Sequence, residues 1–412
     1  MRILLVVPVP PQAEGGGAIP VLLDAELRGL RQLHEVTLVT ALGDEPGEAE
    51  AVARLREAGD VRVADRRRPP PGGRRRRRQL RMAAAWARGR WPWRTVWYAD
   101  PGIQRILDRL GGEREFDLVA VEDSAMSVFR FPVGVPSVFT HHEVLRPRPI
   151  DLRPGSPRRW PAWAFGELDW CRWRGFQRRA WESFDLVQVF SRRDAEAIAE
   201  LAPAAAARVR VDPFGLVLSP ASDPAREETG TILFVGAFHH PPNRDAAIWL
   251  AREILPAVLA RVPGARLRIV GSAPPPEVLA LGGERVEVVA DVPSVRPHTE
   301  AAAVVMAPVR TGGGMRMKVL QAMAAGKAVV TTPRGTEGYT DFDEEPPLAV
   351  GESTAEIAAA TAALLVDDAG RRRLGERARA FAERHHSPEA WARRQTAVFE
   401  EAIARRRRVG GG

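Results

Sequence analysis

One cysteine, Cys171, is all the thiol this 412-residue sequence carries. No intrachain disulfide can form, and nothing points to an oxidising compartment. Cys and His do not recur at metal-ligand spacing, which argues against a structural zinc site. Long apolar runs are missing too: no stretch approaches the ~18 to 20 residues needed to span a bilayer. The apolar Ile3 to Val7 run is too short for a signal peptide, and Pro8, Pro10 and Pro11 interrupt it at once, so it reads as a buried first strand. The expectation is a cytoplasmic protein, attached at most to the inner face of a membrane.

What is present is ordinary globular material, 45% hydrophobic and 27% charged, and long enough for two or three domains. The net charge is +8 and the pI near 10.7. The excess is nearly all arginine, in runs such as Arg66 to Arg68, Arg74 to Arg78 and Arg405 to Arg408. Such runs attract nucleic acid, anionic lipid and acidic substrates alike, so charge does not choose among them.

Along the chain, short apolar runs alternate with helical patterns. Ile3 to Val7, a glycine loop at Gly15, Gly16 and Gly17, an amphipathic segment from Val21 to Gln32, and Val36 to Thr40 make a strand–loop–helix–strand unit. Further strands are predicted at Leu118 to Val121, Ser137 to Thr140, Leu186 to Phe190 and Val209 to Val211. Arg66 to Trp97 reads as an excursion from the sheet, and Trp163 to Ser183 as a helix after an irregular stretch from Arg146. The pattern breaks at Pro213 to Glu228 and then restarts. Strands are predicted at Thr231 to Val235, Leu267 to Val270, Val286 to Val289, Val304 to Met306 and Ala328 to Thr331, with helices at Arg244 to Ala260 and Met315 to Ala325. From Thr354 the chain is helical nearly to its end. Two doubly wound α/β halves account for this, over residues 1–212 and 229–390, followed by a C-terminal helix and basic tail at 391–412. Folds of this class bind ligands at the carboxyl ends of the strands.

The segment Thr311-Gly-Gly-Gly-Met-Arg-Met-Lys318 puts Gly312, Gly313 and Gly314 directly before a helix. Uncovered backbone N–H groups and the helix dipole favour an anion there. Arg316 and Lys318 add two cations suited to a diphosphate; a loop with two solvated charges is the plainer alternative.

The order of these residues resembles the nucleotide-sugar motif of the family 4 (group 1) glycosyltransferases. Lys318-Val-Leu-Gln-Ala-Met-Ala-Ala-Gly-Lys-Ala-Val-Val is similar to K-x-L-E-A-M-A-x-G-x-P-V-V, and Arg334-Gly-Thr-Glu-Gly338 to the G-x-E-G that follows it. Ile232 to Gly236, Pro242-Asn243 and Ala265 to Gly271 resemble the opening of that family's C-terminal domain. Gly15 to Gly17 and His34-Glu35-Val36 resemble its N-terminal glycine loop and second strand. The resemblance implies the GT-B fold, two Rossmann-like domains facing across a cleft, and sugar transfer with retention from a nucleotide-diphosphate donor. It implies His142, in Thr140-His141-His142-Glu143, near the donor sugar, Gly16 and Gly17 among the donor-binding residues, and Glu337 facing nucleotide or sugar. The family's E-x7-E pair falls at Gly313 and Gln321, so neither glutamate is present; the Gln321 amide can still hydrogen-bond a ribose. Glu122-Asp123 reads either as an acceptor base or as a solvated or capping pair. With cations neutralising the leaving diphosphate, no cofactor and no metal are expected.

Trp86, Trp91, Trp93, Trp97, Trp160, Trp163, Trp170, Trp173 and Trp181 interleave with arginines. That pairing suits a membrane surface bearing anionic lipid; cation–π packing on a soluble surface explains it equally. The acceptor is then a saccharide, a lipid-linked sugar or a small molecule. Nucleic acid is not an expected partner, because no binding motif accompanies the arginines and the Rossmann-like repeats would be unexplained. A non-catalytic GT-B protein that binds nucleotide sugars as a partner or sensor is the alternative reading.

Overall fold

The computed structural model describes residues 1–13, 17–67, 73–89, 91–144 and 160–410. The chain divides into two compact units, Met1–Asp212 with Trp391–Gly412, and Pro213–Ala390.

In the first unit the order is β1 (Arg2–Val6), α1 (Ala18–Leu33), β2 (Glu35–Leu42), α2 (Glu48–Glu57), β3 (Val61–Asp65), α3 (Gly73–Ala87), α4 (Trp93–Tyr98), α5 (Pro101–Glu113), β4 (Leu118–Glu122), β5 (Ser137–His141), α6 (Trp160–Ser183), β6 (Leu186–Val189), α7 (Arg192–Leu201) and β7 (Val209–Val211). The strands form a seven-stranded sheet in the order β3-β2-β1-β4-β5-β6-β7, every pair parallel. Central strands such as β1 and β4 are apolar apart from Arg2 and Glu122 at their ends, because helices cover both faces of a parallel sheet. The edge strand β3 escapes the sequence reading for the complementary reason: only Val61 and Ala64 are buried, while Arg62 and Asp65 face solvent. The excursion read at Arg66 to Trp97 contains α3 and α4.

In the second unit the order is β8 (Thr231–Val235), α8 (Pro241–Trp249), α9 (Leu255–Leu259), β9 (Arg266–Gly271), α10 (Pro276–Leu279), β10 (Val286–Ala290), α11 (Arg296–Ala301), β11 (Val304–Ala307), α12 (Met317–Ala324), β12 (Ala328–Thr331), β13 (Ala349–Val350), α13 (Thr354–Val366) and α14 (Asp368–His386). The sheet order is β10-β9-β8-β11-β12-β13. One expected feature needs correcting: the helix predicted from Arg244 to Ala260 is not uniform, because a π turn at Leu250–Ile254 separates α8 from α9.

The last helix, α15 (Pro388–Gly410), returns to the first unit from Trp391 onward. Trp391 is buried and meets Phe190 edge to face at 6.2 Å. Arg394 Nε donates to Asp212 at 2.7 Å, and His34 Nε2 lies 2.8 Å from Thr396 Oγ1. The segment read from sequence as a helix and basic tail is therefore built into the first unit's core. Among the described residues, no helix is long and apolar enough to cross a membrane.

Candidate functional site

In the second unit the candidate residues gather at the carboxyl ends of β11 and β12. Both Gly312, at φ 88°, and Gly314, at φ 76°, are left-handed, which lets the loop reverse into α12. Arg316 stands at the N-cap of α12 and folds back on that loop, with Nη1 donating to Gly313 O at 2.7 Å and Nη2 to Thr311 O at 3.4 Å. The buried Tyr339 hydroxyl donates to Arg316 O at 2.8 Å, and Thr332 Oγ1 donates to Val309 O. Side-chain donors from the segment after β12 thus set the loop's path.

Lys318 lies in the first turn of α12. Its ammonium donates to Asn243 Oδ1 at 2.7 Å and sits 4.5 Å from the Phe234 ring centroid. Asn243 is itself fixed by donating to Ala237 O at 2.8 Å. Burial, and after it the positive charge of Arg316, push the Lys318 ammonium down to about 7. Two cations held together at a helix start, with one partly discharged by its surroundings, form a site that an anion would complete.

Gln321, one turn further along α12, is exposed. Glu337 follows the short turn Pro333–Thr336 and accepts from Arg334 Nη1 at 3.1 Å. Arg334 Nη1 also donates to Gly312 O at 3.1 Å, tying the glycine loop to Glu337. Sequence reasoning took Arg334 only as a letter of the R-G-T-E-G stretch; its position beside Glu337 was the signal for a third cation. The expectation that the sequence holds no Asp-x-Asp cluster needs correcting, because the same stretch leads into Asp341-Phe342-Asp343. Phe342 within it packs on His385 at 4.5 Å and on Phe381 at 5.8 Å. Among the described residues no three His, Cys, Asp or Glu side chains gather as metal ligands.

The first unit holds the other candidates. Gly17, at φ 93°, is the exposed N-cap of α1; Gly16 lies outside the described residues. His142 directly follows β5, and its Nε2 is 2.8 Å from Oε2 of Glu122, the last residue of β4. Its ring packs on Phe190 at 5.4 Å. The neighbouring His141 points the other way into the core, where its Nδ1 accepts from Trp181 Nε1 at 2.8 Å. Asp123 caps the turn at Ser124–Val128 through Ala125 N at 2.8 Å, matching the capping alternative. Glu122 does not: it is fully buried, neither solvated nor capping, and burial pushes its carboxyl up to about 8. The structure therefore brings Arg316, Lys318, Glu337 and the three glycines together in one unit and sets His142 on Glu122 in the other.

The aromatic region divides. Trp173 and Trp181 belong to the core. Trp86 instead stacks on Phe165 at 4.6 Å, lies under the Arg172 guanidinium at 4.0 Å, and donates to Asp169 at 2.8 Å. Phe165 and Trp93, whose rings meet edge to face at 6.1 Å, are exposed, as are Leu80 and Leu168.

Residues 229–367 match the family model described as "Glycosyl transferases group 1". No curated protein sequence matches the chain. Sucrose-phosphate synthase from Thermosynechococcus elongatus is similar at TM-score 0.63 and 18% identity, over 98% of this chain and 99% of that one. Anabaena HepE in complex with UDP and glucose is similar at 0.62 and 15%, over 97% and 100%. A trehalose-6-phosphate protein from E. coli bound with UDP-2-fluoro glucose is similar at 0.58 and 14%, over 97% and 99%. These likenesses establish the fold, which is of the GT-B type with two Rossmann-like units.

Proposed function

We propose that this chain, whose second unit carries the group 1 glycosyl transferase pattern, moves a hexose from a nucleotide-diphosphate donor to an acceptor with retention of anomeric configuration. The observation that carries the reading is the Arg316–Lys318 pair at the glycine-loop start of α12. In this reaction the glycosidic C–O bond breaks through an oxocarbenium-like transition state, and charge builds on the departing diphosphate. Arg316 and Lys318 neutralise that charge, and backbone N–H groups at the helix start share it. Gln321 takes the ribose through its amide, Glu337 faces nucleotide or sugar, and His142 meets the donor sugar. The acceptor is a polysaccharide, a glycolipid or a natural product. Exposed Leu80, Trp93, Phe165 and Leu168 beside arginine-rich α3 support a peripheral site at an anionic membrane, on the cytoplasmic face.

A panel of UDP-, GDP-, TDP- and ADP-sugars, read by nucleotide release with and without acceptor mixtures, tests the proposal. Slow hydrolysis of one donor, lost in the Arg316→Ala, Lys318→Ala double variant, is the expected result. Absence of binding to every nucleotide sugar would overturn it. Gly313 and Gln321 stand where the resembling family has glutamates, which favours one other reading, a nucleotide-sugar sensor; saturable binding with no turnover under any acceptor would select it.

A further inference from the structure

Beneath His142 lie two buried carboxyl groups. Glu26, on α1, is 1% exposed and Glu122, at the end of β4, is 0% exposed. Gln395, on α15 and equally buried, donates through Nε2 to Glu26 Oε1 at 2.7 Å. At the other end Glu122 Oε2 lies 2.8 Å from His142 Nε2. The other two oxygens, Glu26 Oε2 and Glu122 Oε1, are buried and meet no hydrogen-bond donor, so neither carboxyl has donors on that side to hold it ionised. Two ionised carboxylates placed together out of water would repel.

The surroundings favour keeping protons here. Burial is the largest cause raising both groups; Glu122 raises Glu26 further, and Asp123 and Asp212 raise Glu122. The opposing influences are His142 and Gln395 on Glu26, and Thr140 and Glu26 on Glu122. Nearby cations are committed elsewhere, Arg394 to Asp212 at 2.7 Å and Arg28 to Asp24 at 2.7 Å. His141 is turned toward Trp181. In such a site a neutral acid–imidazole pair is favoured over an ion pair, because neither partner must be charged out of water.

We infer that Glu122, buried with Glu26 near it, holds a proton, and that its O–H donates to Nε2 and so fixes His142 as its Nδ1–H tautomer. Glu26 and Glu122 are positioning residues, and their link to catalysis rests on the proposed role of His142 at the donor sugar. Ionisation of Glu122 turns it from donor to acceptor and sends the ring to Nε2–H, the tautomer that free imidazole side chains prefer in water.

The test is long-range proton–nitrogen NMR on the full chain labelled at histidine, with His142→Gln to assign the signal. The wild type is expected to show Nδ1–H at pH 7 and to pass to Nε2–H as pH rises through about 8. Glu122→Gln, which keeps a donor N–H but cannot ionise, is expected to hold one tautomer across that range. An Nε2–H ring at pH 7, or a wild-type tautomer indifferent to pH between 6 and 10, overturns the inference without any activity measurement. Donor hydrolysis over the same pH range separates the two ideas. A fall above about pH 8 that Glu122→Gln removes supports both. A tautomer change with flat activity leaves the Glu122–His142 pair standing and removes His142 from the reaction.

Discussion

Lys318 Nζ is bonded to Asn243 Oδ1 at 2.7 Å and rests 4.5 Å from the centroid of the Phe234 ring, so the cation proposed to meet a diphosphate is held by an amide and a ring. That arrangement leaves the ammonium at about 7, well below its ordinary 10.5. A bound diphosphate restores the charge and raises the pKa again, so binding takes up a proton wherever the free protein has lost it. The sign follows: the Lys318 contribution to UDP affinity is full below pH 7 and weakens above it, by up to about one decade per pH unit. Calorimetry in buffers of different ionisation enthalpy should show proton uptake near pH 8. Lys318→Met should abolish the uptake and weaken UDP binding by roughly 10- to 100-fold, the worth of a ~1.5–3 kcal/mol charge-assisted hydrogen bond. Equal uptake in wild type and variant would assign the proton elsewhere.

Arg334 holds the glycine loop by Gly312 O and pairs with Glu337, both at 3.1 Å. The Arg334 side chain is 36% exposed, so the pair adds little to stability, within about 1 kcal/mol. Arg334→Ala should shift the melting temperature by only a few degrees while raising the donor KM several-fold with kcat largely kept. A collapse of melting temperature with unchanged KM would make Arg334 a purely structural residue.

The three loop glycines are not equivalent. Gly312 and Gly314 are left-handed, whereas Gly313 between them is not. A Cβ at Gly312 would also come within 3.1 Å of Pro242 Cγ. Alanine at 312 or 314 should cost on the order of 1–2 kcal/mol and weaken nucleotide binding. Alanine at 313 should leave both nearly unchanged. Chemical denaturation and UDP titration of the three variants check the contrast.

Much of this was legible in the sequence, and the exceptions share a cause. Central strands such as Val304–Ala307 are continuous apolar runs because both faces are covered, and such runs announce themselves. Edge strands do not: β3 alternates with charge, and β13 is two residues held by Val330 and Thr331. In the site, the cations of α12 were visible from their place after the glycines. Arg334 was hidden because Gly312 O, the partner distant in sequence, comes near only when β11 and β12 pair, although Glu337 three residues on was a local clue. Glu122 was ambiguous for the same reason. A carboxylate after a strand reads as an exposed base until β5 lays His142 over it, and neither Glu26 nor Gln395 carries any local mark of the contact between them.

That contact makes the end of the chain part of the first unit's stability. Trp391 is 1% exposed, its ring set against Phe190, and Arg394 and Gln395 on the same helix satisfy Asp212 and Glu26. Trp391→Ala empties a large buried volume and should cost roughly 3–5 kcal/mol. For a unit of this size that corresponds to a fall of about 6–20 °C in the melting temperature. Truncation after Ala390 removes the tryptophan and both polar partners together, leaving Asp212 and Glu26 buried without them, and should cost more than the single substitution. Two calorimetric transitions are the informative readout, because the unit at Pro213–Ala390 keeps its own core. The first unit's transition should fall or vanish on truncation while the other persists. A truncated chain that melts like the full one would mean that α15 rests on the first unit without supporting it.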